Sequence, residues 1–187
     1  MAGEAWIEEA RGSWMPGLVS ALAPAEAAEL GSPKPGEGPV AFCIRVARGS
    51  RRAKARQLAL CTLFPAARDR LEGVVELAVD RLFNDSGKFV RYEACRMLAL
   101  ACDPATLKPL HEAWERKFDV PWEGIGDAYR AVEQGDRDAF YNRPGWPGHQ
   151  SWIVQDERTD FKNGGYIVEG SLAYGTKVRG SDAEDKA

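Results

Sequence analysis

A short motif that occurs twice constrains the fold of this chain more than any other feature. Residues 56–60 read Arg-Gln-Leu-Ala-Leu and residues 96–100 read Arg-Met-Leu-Ala-Leu, so Arg-x-Leu-Ala-Leu recurs at an offset of 40 residues. The acids Asp85 and Asp119 lie 34 residues apart, each just before a short helical pattern. Repeats of about 34 to 47 residues with two helices each are typical of α-solenoids, in which stacked helix pairs bury one another's apolar sides.

Apolar residues at helical spacing support this interpretation. Between residues 71 and 83 the apolar positions follow the i, i+3, i+4, i+7 pattern, which predicts a helix with one buried stripe. These positions are Leu71, Val74, Val75, Ala78, Val79, Leu82 and Phe83. After a turn at Asn84-Asp85-Ser86-Gly87, a second helix carries Val90, Ala94, Leu98 and Ala101 on its inner face. Asp103-Pro104 ends it and is a favourable N-cap and first turn for the next helix.

Further helices are predicted on both sides of this pair. Downstream, one helix carries Leu107, Leu110, Trp114 and Phe118, and another carries Ile125, Ala128, Tyr129 and Val132 before Gly135. Upstream, residues 52–64 form a helix that Pro65 ends. Residues 40–46 fit a helix or a strand, because Val40, Phe42, Ile44 and Val46 also alternate. We choose a helix because the neighbouring segments are helical.

The helix pair predicted over residues 71–101 resembles a HEAT repeat. In that family an Asp ends the first helix and a Val-Arg pair opens the second, as Asp85 and Val90-Arg91 do here, and small residues then pack on the next repeat, as at Ala94. The resemblance covers about residues 40–135, although Val120-Pro121 and Ser50-Arg51 replace Val-Arg in the other two repeats. It implies a mainly α fold, a short HEAT-like α-solenoid of two to three helix pairs, in which Asp85 and Arg91 satisfy backbone groups of the turn.

The flanking regions differ from the repeats. Residues 1–38 are predicted to hold a helix, interrupted near Pro16, and a Pro/Gly linker, and residues 39–135 the repeats. Residues 136–179 are predicted to form an aromatic loop and a small β-hairpin, because Asn163-Gly164 is a favoured hairpin turn between two apolar runs. Residues 180–187 carry acids without a large apolar anchor and are expected to be a flexible tail.

Positive charge is concentrated in one segment, although the whole chain has a formal net charge of -3. Residues 38–68 hold seven basic residues and no acid. Six of them fall within twelve residues and are candidate phosphate-binding groups: Arg45, Arg48, Arg51, Arg52, Lys54 and Arg56. Such a segment can meet phosphates or an acidic protein, and it can equally be a solvated turn and helix face.

Recognisable catalytic signatures are weak throughout. Ser86-Gly87-Lys88 lacks the earlier glycine and the following hydroxyl residue of a phosphate loop, and His111 lacks the second histidine of a zinc-protease helix. The four cysteines form no CxxC pair, so we expect buried reduced thiols, no metal and no cofactor. The acidic N-terminus and the lack of a long apolar stretch predict a cytoplasmic protein without membrane contact.

These features favour a non-catalytic module that binds another protein, either as an adaptor subunit or as an immunity protein that neutralises a toxin. Aromatic side chains and a histidine are the candidate contacts, since aromatic residues are common anchors of interfaces. They are Trp114, Trp122, Tyr141, Trp146, His149 and Trp152. The alternative is a nucleic-acid-binding module that uses residues 45–56. The HEAT-like DNA glycosylases are one enzymatic form of it, although no Asp aligns with a Trp at that family's motif.

Overall fold

The computed structural model describes residues 2–140, and this part of the chain is helical, with no strand. The α-helices are α1 (Ala2–Glu9), α2 (Arg11–Ser20), α3 (Pro24–Leu30), α4 (Pro39–Gly49), α5 (Ala53–Thr62), α6 (Phe64–Arg68), α7 (Val74–Asn84), α8 (Lys88–Ala101), α9 (Leu107–Glu115) and α10 (Gly124–Gln134). Short 3-10 turns occur at Pro104–Thr106, Pro121–Glu123 and Arg137–Phe140. The prediction of a mainly helical chain is therefore confirmed for these residues, and the predicted hairpin and tail lie outside them.

Three pairs of consecutive helices make up the centre of the molecule. α4 packs against α5, α7 against α8, and α9 against α10. The second helices lie side by side, with α8 in contact with both α5 and α10, while the first helices contact one another more sparsely. Fully buried side chains such as Leu60, Leu77 and Leu98 fill the space between these helices.

The N-terminal helices belong to the same hydrophobic core. α1 packs on α6 and α4, and α2 packs on α5, so Ile7, Trp14 and Leu18 are buried with the residues of the helix pairs. The segment between α3 and α4 is irregular, as its prolines and glycines predicted, but Pro39 already belongs to α4. Residues 2–38 thus hold three helices where one interrupted helix was predicted.

Two prolines do not break the chain where the sequence suggested. Pro16 lies inside α2, and the break falls at Ala10. A proline inside a helix costs about 3 kcal/mol, but here Trp14 and Leu18 of the same helix are buried while Pro16 faces solvent, so packing outweighs the loss. Pro65 does not end a helix over 52–64; α5 ends at Thr62, and Pro65 lies in the first turn of α6, where proline is well tolerated.

Two other local predictions hold, and a third holds only in part. Residues 40–46 are helical, in α4, with Phe42 and Cys43 buried. Asp103 is the N-cap of the turn that follows α8, since its Oδ1 accepts a hydrogen bond from the backbone N–H of Ala105 at 3.0 Å. In α7 the stripe is split, because Val74, Leu77, Ala78 and Leu82 are buried whereas its remaining apolar positions are only partly covered.

Candidate functional site

Large exposed apolar side chains gather at one place in the described part of the chain. Trp114 is 54% exposed, Phe89 40% and Trp122 36%. They lie at the end of α9, at the start of α8 and in the turn before α10. The ring of Trp114 covers Gly126 of α10, and the ring centroids of Phe89 and Trp122 are 5.8 Å apart. We call these three residues the aromatic surface. Exposed apolar patches of this kind commonly mark sites of interaction.

Trp114 owes its position to a glycine on the neighbouring helix. The inner face of α9 is formed by Leu110 and Ala113, which are buried, and Trp114 lies beside them on the rim. Its ring covers Gly126 of α10 so closely that a Cβ atom at that residue would lie 2.8 Å from Cζ3 of Trp114. The indole therefore rests on a backbone surface that any side chain at Gly126 would occupy.

A cleft of about 400 Å³ opens beside Trp114. Its apolar lining comes from Trp114, Phe118, Val120 and Ile125, and charged residues line it as well, namely Glu115, Lys117 and Glu123. An apolar hollow with charged groups along its lining matches the composition of protein interfaces, where a hydrophobic centre is surrounded by polar groups.

The turn between α9 and α10 has an unusual backbone. Lys117, Trp122 and Glu123 have positive φ angles of 52°, 53° and 57°, and the last two are consecutive. Residues other than glycine enter this left-handed region at a cost of about 1–3 kcal/mol each, and such strain is concentrated at functional sites. The strain must be offset by packing, and the contacts of Trp122 are the visible source of that packing.

Trp122 is the centre of a group of aromatic rings. Its ring centroid lies 5.1 Å from that of Tyr92 in an edge-to-face arrangement and 5.8 Å from that of Phe89. Tyr92 also contacts Phe140, at 5.8 Å. Gly124 makes room for this group, because a Cβ there would lie 2.8 Å from Tyr92. Burial raises the pKa of Tyr92, so the phenol stays neutral under ordinary conditions.

The six basic candidates divide into two classes. Arg45 is committed to Glu37, with its Nε 2.8 Å from Oε1 and its Nη2 2.8 Å from Oε2. This hydrogen bonding, opposed by partial burial, lowers the pKa of Glu37 to about 2. Arg56 is buried and binds Asp85 at 2.6 and 2.8 Å. Arg48, Arg51, Arg52 and Lys54 are exposed and remain available to a ligand.

Asp85 and Arg91 both form hydrogen bonds with backbone groups of the turn between α7 and α8. Oδ1 of Asp85 accepts a hydrogen bond from the backbone N–H of Gly87 at 2.7 Å, and Nε of Arg91 donates to the carbonyl oxygen of Asp85 at 2.7 Å. Both side chains thus satisfy backbone groups of the turn between α7 and α8. The ion pair between Asp85 and Arg56 was not predicted from the sequence.

A second polar group inside the molecule was also missed. Nε2 of Gln57 donates to Oε1 of Glu93 at 3.0 Å, and Nη1 of Arg96 donates to Oε2 of Glu93 at 2.9 Å. The guanidinium of Arg96 lies 4.4 Å from the ring centroid of Phe64. The repeated motif was the available signal, since Arg56 and Arg96 are its first residues and both are buried and ion-paired.

Four of the six aromatic and histidine candidates follow residue 140 in the sequence. Tyr141, Trp146, His149 and Trp152 lie outside the described residues. Burial raises the pKa values of Cys43, Cys61 and Cys95, which keeps these thiols protonated. Within residues 2–140 no group of three or more His, Cys, Asp or Glu side chains is placed to hold a metal ion.

No helix among residues 2–140 combines the length and the apolar character needed to span a membrane. Comparison of the chain with protein-family models, with curated proteins and with solved structures found no match.

Proposed function

We propose that the three helix pairs form a short α-solenoid of the HEAT type and that the protein is a non-catalytic module that binds another protein. The order of packing supports the architecture, because each pair contacts the next pair in the sequence and the second helices are layered as α5, α8 and α10. Solenoids of this kind present extended surfaces to macromolecular partners.

The aromatic surface is the single observation that carries the binding function. Tryptophan anchors contribute a large share of the energy of protein interfaces, and a folded monomer gains nothing by exposing them. Trp114 is more than half exposed although a buried position on α9 is only one residue away, at Ala113. The turn that presents Trp122 has a strained backbone, a feature that is concentrated at functional sites.

The volume and the lining of the cleft indicate which side chains of a partner we expect to bind there. Its volume of about 400 Å³ lies at the small end of ligand pockets, and it suits one or two bulky apolar side chains of a partner. Lys117 and Glu123 also line the cleft, and they favour a partner that carries polar or charged groups around those apolar side chains. An adaptor subunit and a toxin-neutralising immunity protein would both use a surface of this type.

Site-specific photo-crosslinking tests this proposal. The photoreactive amino acid p-benzoylphenylalanine replaces Trp114 or Trp122 in separate full-length proteins, and Glu133, exposed on α10, serves as the control position. We expect both aromatic positions to form a covalent adduct with the same polypeptide and position 133 to form none. Adducts of equal yield at all three positions, or none at any, would contradict the proposal.

A second candidate function rests on the exposed cations. Arg48, Arg51, Arg52 and Lys54 have no side-chain hydrogen bond or ion pair within residues 2–140. They are available for phosphate groups of a nucleic acid. Four phosphate contacts would give a log–log salt dependence with a slope of about -3.6, whereas an aromatic protein interface is less sensitive to salt.

Anisotropy of labelled duplex DNA distinguishes this candidate. Arg51→Glu with Arg52→Glu should abolish binding if these residues contact phosphates, while Lys34→Glu with Lys108→Glu, an equal change of charge at exposed positions elsewhere, should reduce it less. DNA glycosylase activity would in addition leave abasic sites that alkali cleaves. Equal losses in the two double variants would indicate attraction by net charge alone and would contradict a defined site.

A further inference from the structure

A second surface, separate from the aromatic surface, lies between the first helices of the last two pairs. A groove of about 470 Å³ runs between α7, with the turn before it, and the start of α9. Leu71, Val75 and Val79 form its floor on one side, and Pro109 faces them from α9. Val75 and Val79 are spaced by four and lie in one line along α7, whereas Leu71 belongs to the turn before that helix. All of them are only partly buried.

Carboxylates border this floor. Glu76 and Asp80 are spaced by four on α7, and Asp80 is ion-paired with Arg81. Glu72 lies in the turn before α7, and Asp103 lines the groove from the segment before α9. Glu72 and Glu76 are exposed and have no hydrogen bond or ion pair to any residue of 2–140. Their charges are therefore not neutralised by the chain itself.

Arg70 also lines the groove, and its single positive charge offsets only part of the charge of the carboxylates. Arg70 uses its Nε to bind the carbonyl oxygen of Ala101 at 2.7 Å and its Nη2 to bind that of Cys102 at 2.6 Å. It closes the end of α8, and its backbone is held in the left-handed region at φ 52°. The groove consequently combines an apolar floor with a negative edge.

From this arrangement we infer that the groove between α7 and α9 binds a basic amphipathic helix of a partner protein. The apolar stripe of such a helix covers the floor, and its lysine or arginine residues on one flank meet Glu72 and Glu76. Helix-in-groove recognition uses this combination of spaced apolar anchors and complementary charge.

A synthetic peptide serves as the probe. It is a fluorescein-labelled helix of about 14 residues with leucines at i, i+4, i+7 and i+11 and lysines beside them, since shorter helices are marginal in water. A scrambled peptide of equal charge and a peptide with glutamate in place of lysine are its controls. We expect saturable anisotropy changes with the first peptide and none with the other two. Equal binding of the scrambled peptide would overturn the proposal.

Protein variants locate the contact. Glu72→Gln with Glu76→Gln should weaken binding of the peptide about tenfold, as expected for two ion pairs at a partly covered edge. Glu4→Gln with Glu133→Gln removes the same charge at exposed positions elsewhere and should have little effect. Ala105→Trp, at an exposed position on the groove wall, should block binding without unfolding the protein. Unchanged affinity in the first or the third variant would refute the assignment.

This surface is tested independently of the aromatic surface. Trp114→Ser should leave binding of the peptide unchanged, so failure of one proposal does not decide the other. The exposed cations at residues 48–54 of a second copy are another potential occupant. Sedimentation at low salt would then show self-association that Glu72→Gln with Glu76→Gln abolishes, and that result would contradict a partner helix.

Discussion

Arg56 and Asp85, which are 29 residues apart in the chain, form a two-bonded ion pair inside the protein. Nε of Arg56 lies 2.6 Å from Oδ2 of Asp85, and Nη2 lies 2.8 Å from Oδ1. The side chain of Asp85 has no exposed surface, and Arg56 also donates to the carbonyl oxygen of Ser50 at 2.9 Å. The pair joins the start of α5 to the turn between α7 and α8 and so links two helix pairs.

Replacement of Asp85 should therefore be costly. Asp85→Ala leaves the buried guanidinium of Arg56 without its carboxylate, and we expect the free energy of unfolding to fall by about 3–5 kcal/mol in urea titrations. Asp119, the exposed acid of the following turn, is the matched control, and Asp119→Ala should change stability by less than about 0.5 kcal/mol. A loss below about 1 kcal/mol for Asp85→Ala would contradict the importance of the pair.

Leu98 tests the packing of α8 against its neighbours. Its side chain is completely buried, so Leu98→Asp places an unpaired charge among apolar groups and should cost several kcal/mol. We expect a lower Tm and a weaker helical circular dichroism signal. Lys108→Asp, at an exposed position of α9, should leave both close to those of the natural protein. An unchanged Tm for Leu98→Asp would be incompatible with the described core.

A substitution at Gly126 tests whether this glycine sets the position of the Trp114 ring. Gly126→Ala should push the indole away from α10, because the added Cβ would lie 2.8 Å from Cζ3. The tryptophan emission should shift to longer wavelength, and crosslinking from position 122 to a partner should weaken. Gly12→Ala in α2, where nothing lies within 4 Å of the new Cβ, should only stabilise the protein by about 0.5–1 kcal/mol. Identical emission spectra for both variants would argue against this contact between the Trp114 ring and Gly126.

Asp127 should make stability depend on pH. Its side chain is largely buried in α10, and this burial, opposed by Arg130, raises the pKa to about 6. Between pH 4 and 6 the unfolded chain has already lost this proton while the native protein still holds it. The native state is therefore favoured at low pH, and the contribution is lost as the pH rises through about 6.

The measurement compares the natural protein with Asp127→Asn across this range. The difference in free energy of unfolding between them should shift by about 2 kcal/mol in favour of the variant between pH 4 and pH 7. Glu133→Gln, an exposed change on the same helix, should show no such trend. A constant difference for Asp127→Asn over the range would disprove the raised pKa.

Periodicity predicted the helices because the apolar residues of this chain report which side of each helix is covered. Residues 40–46 are an example: their alternation also fits a strand, and the helical neighbours decided correctly. The breaks predicted at Pro16 and Pro65 were wrong, because a local rule for chain breaks does not include the packing of Trp14 or the short helix that begins at Phe64.

The site was harder to predict for a related reason. A count of charges treats Arg45 and Arg56 like Arg51, whereas their partners Glu37 and Asp85 are set by tertiary structure. Trp114 was a candidate contact from the sequence alone, but only the glycine of α10 shows why its ring lies on the rim. The left-handed residues at 122 and 123 had no counterpart in the sequence patterns.

The bond between Gln57 and Glu93 has a consequence for how the molecule melts. Together with Arg56 and Asp85 it joins α4 and α5 to α7 and α8 through polar groups that are shielded from water. Deleting α4 and α5 would remove Gln57 and Arg56, the partners of Glu93 and Asp85. The remaining helices would keep two buried acids without those partners, so they should not fold as a shorter form of the same protein. We expect a single cooperative transition in calorimetry, in contrast to modular arrays that unravel unit by unit from their ends.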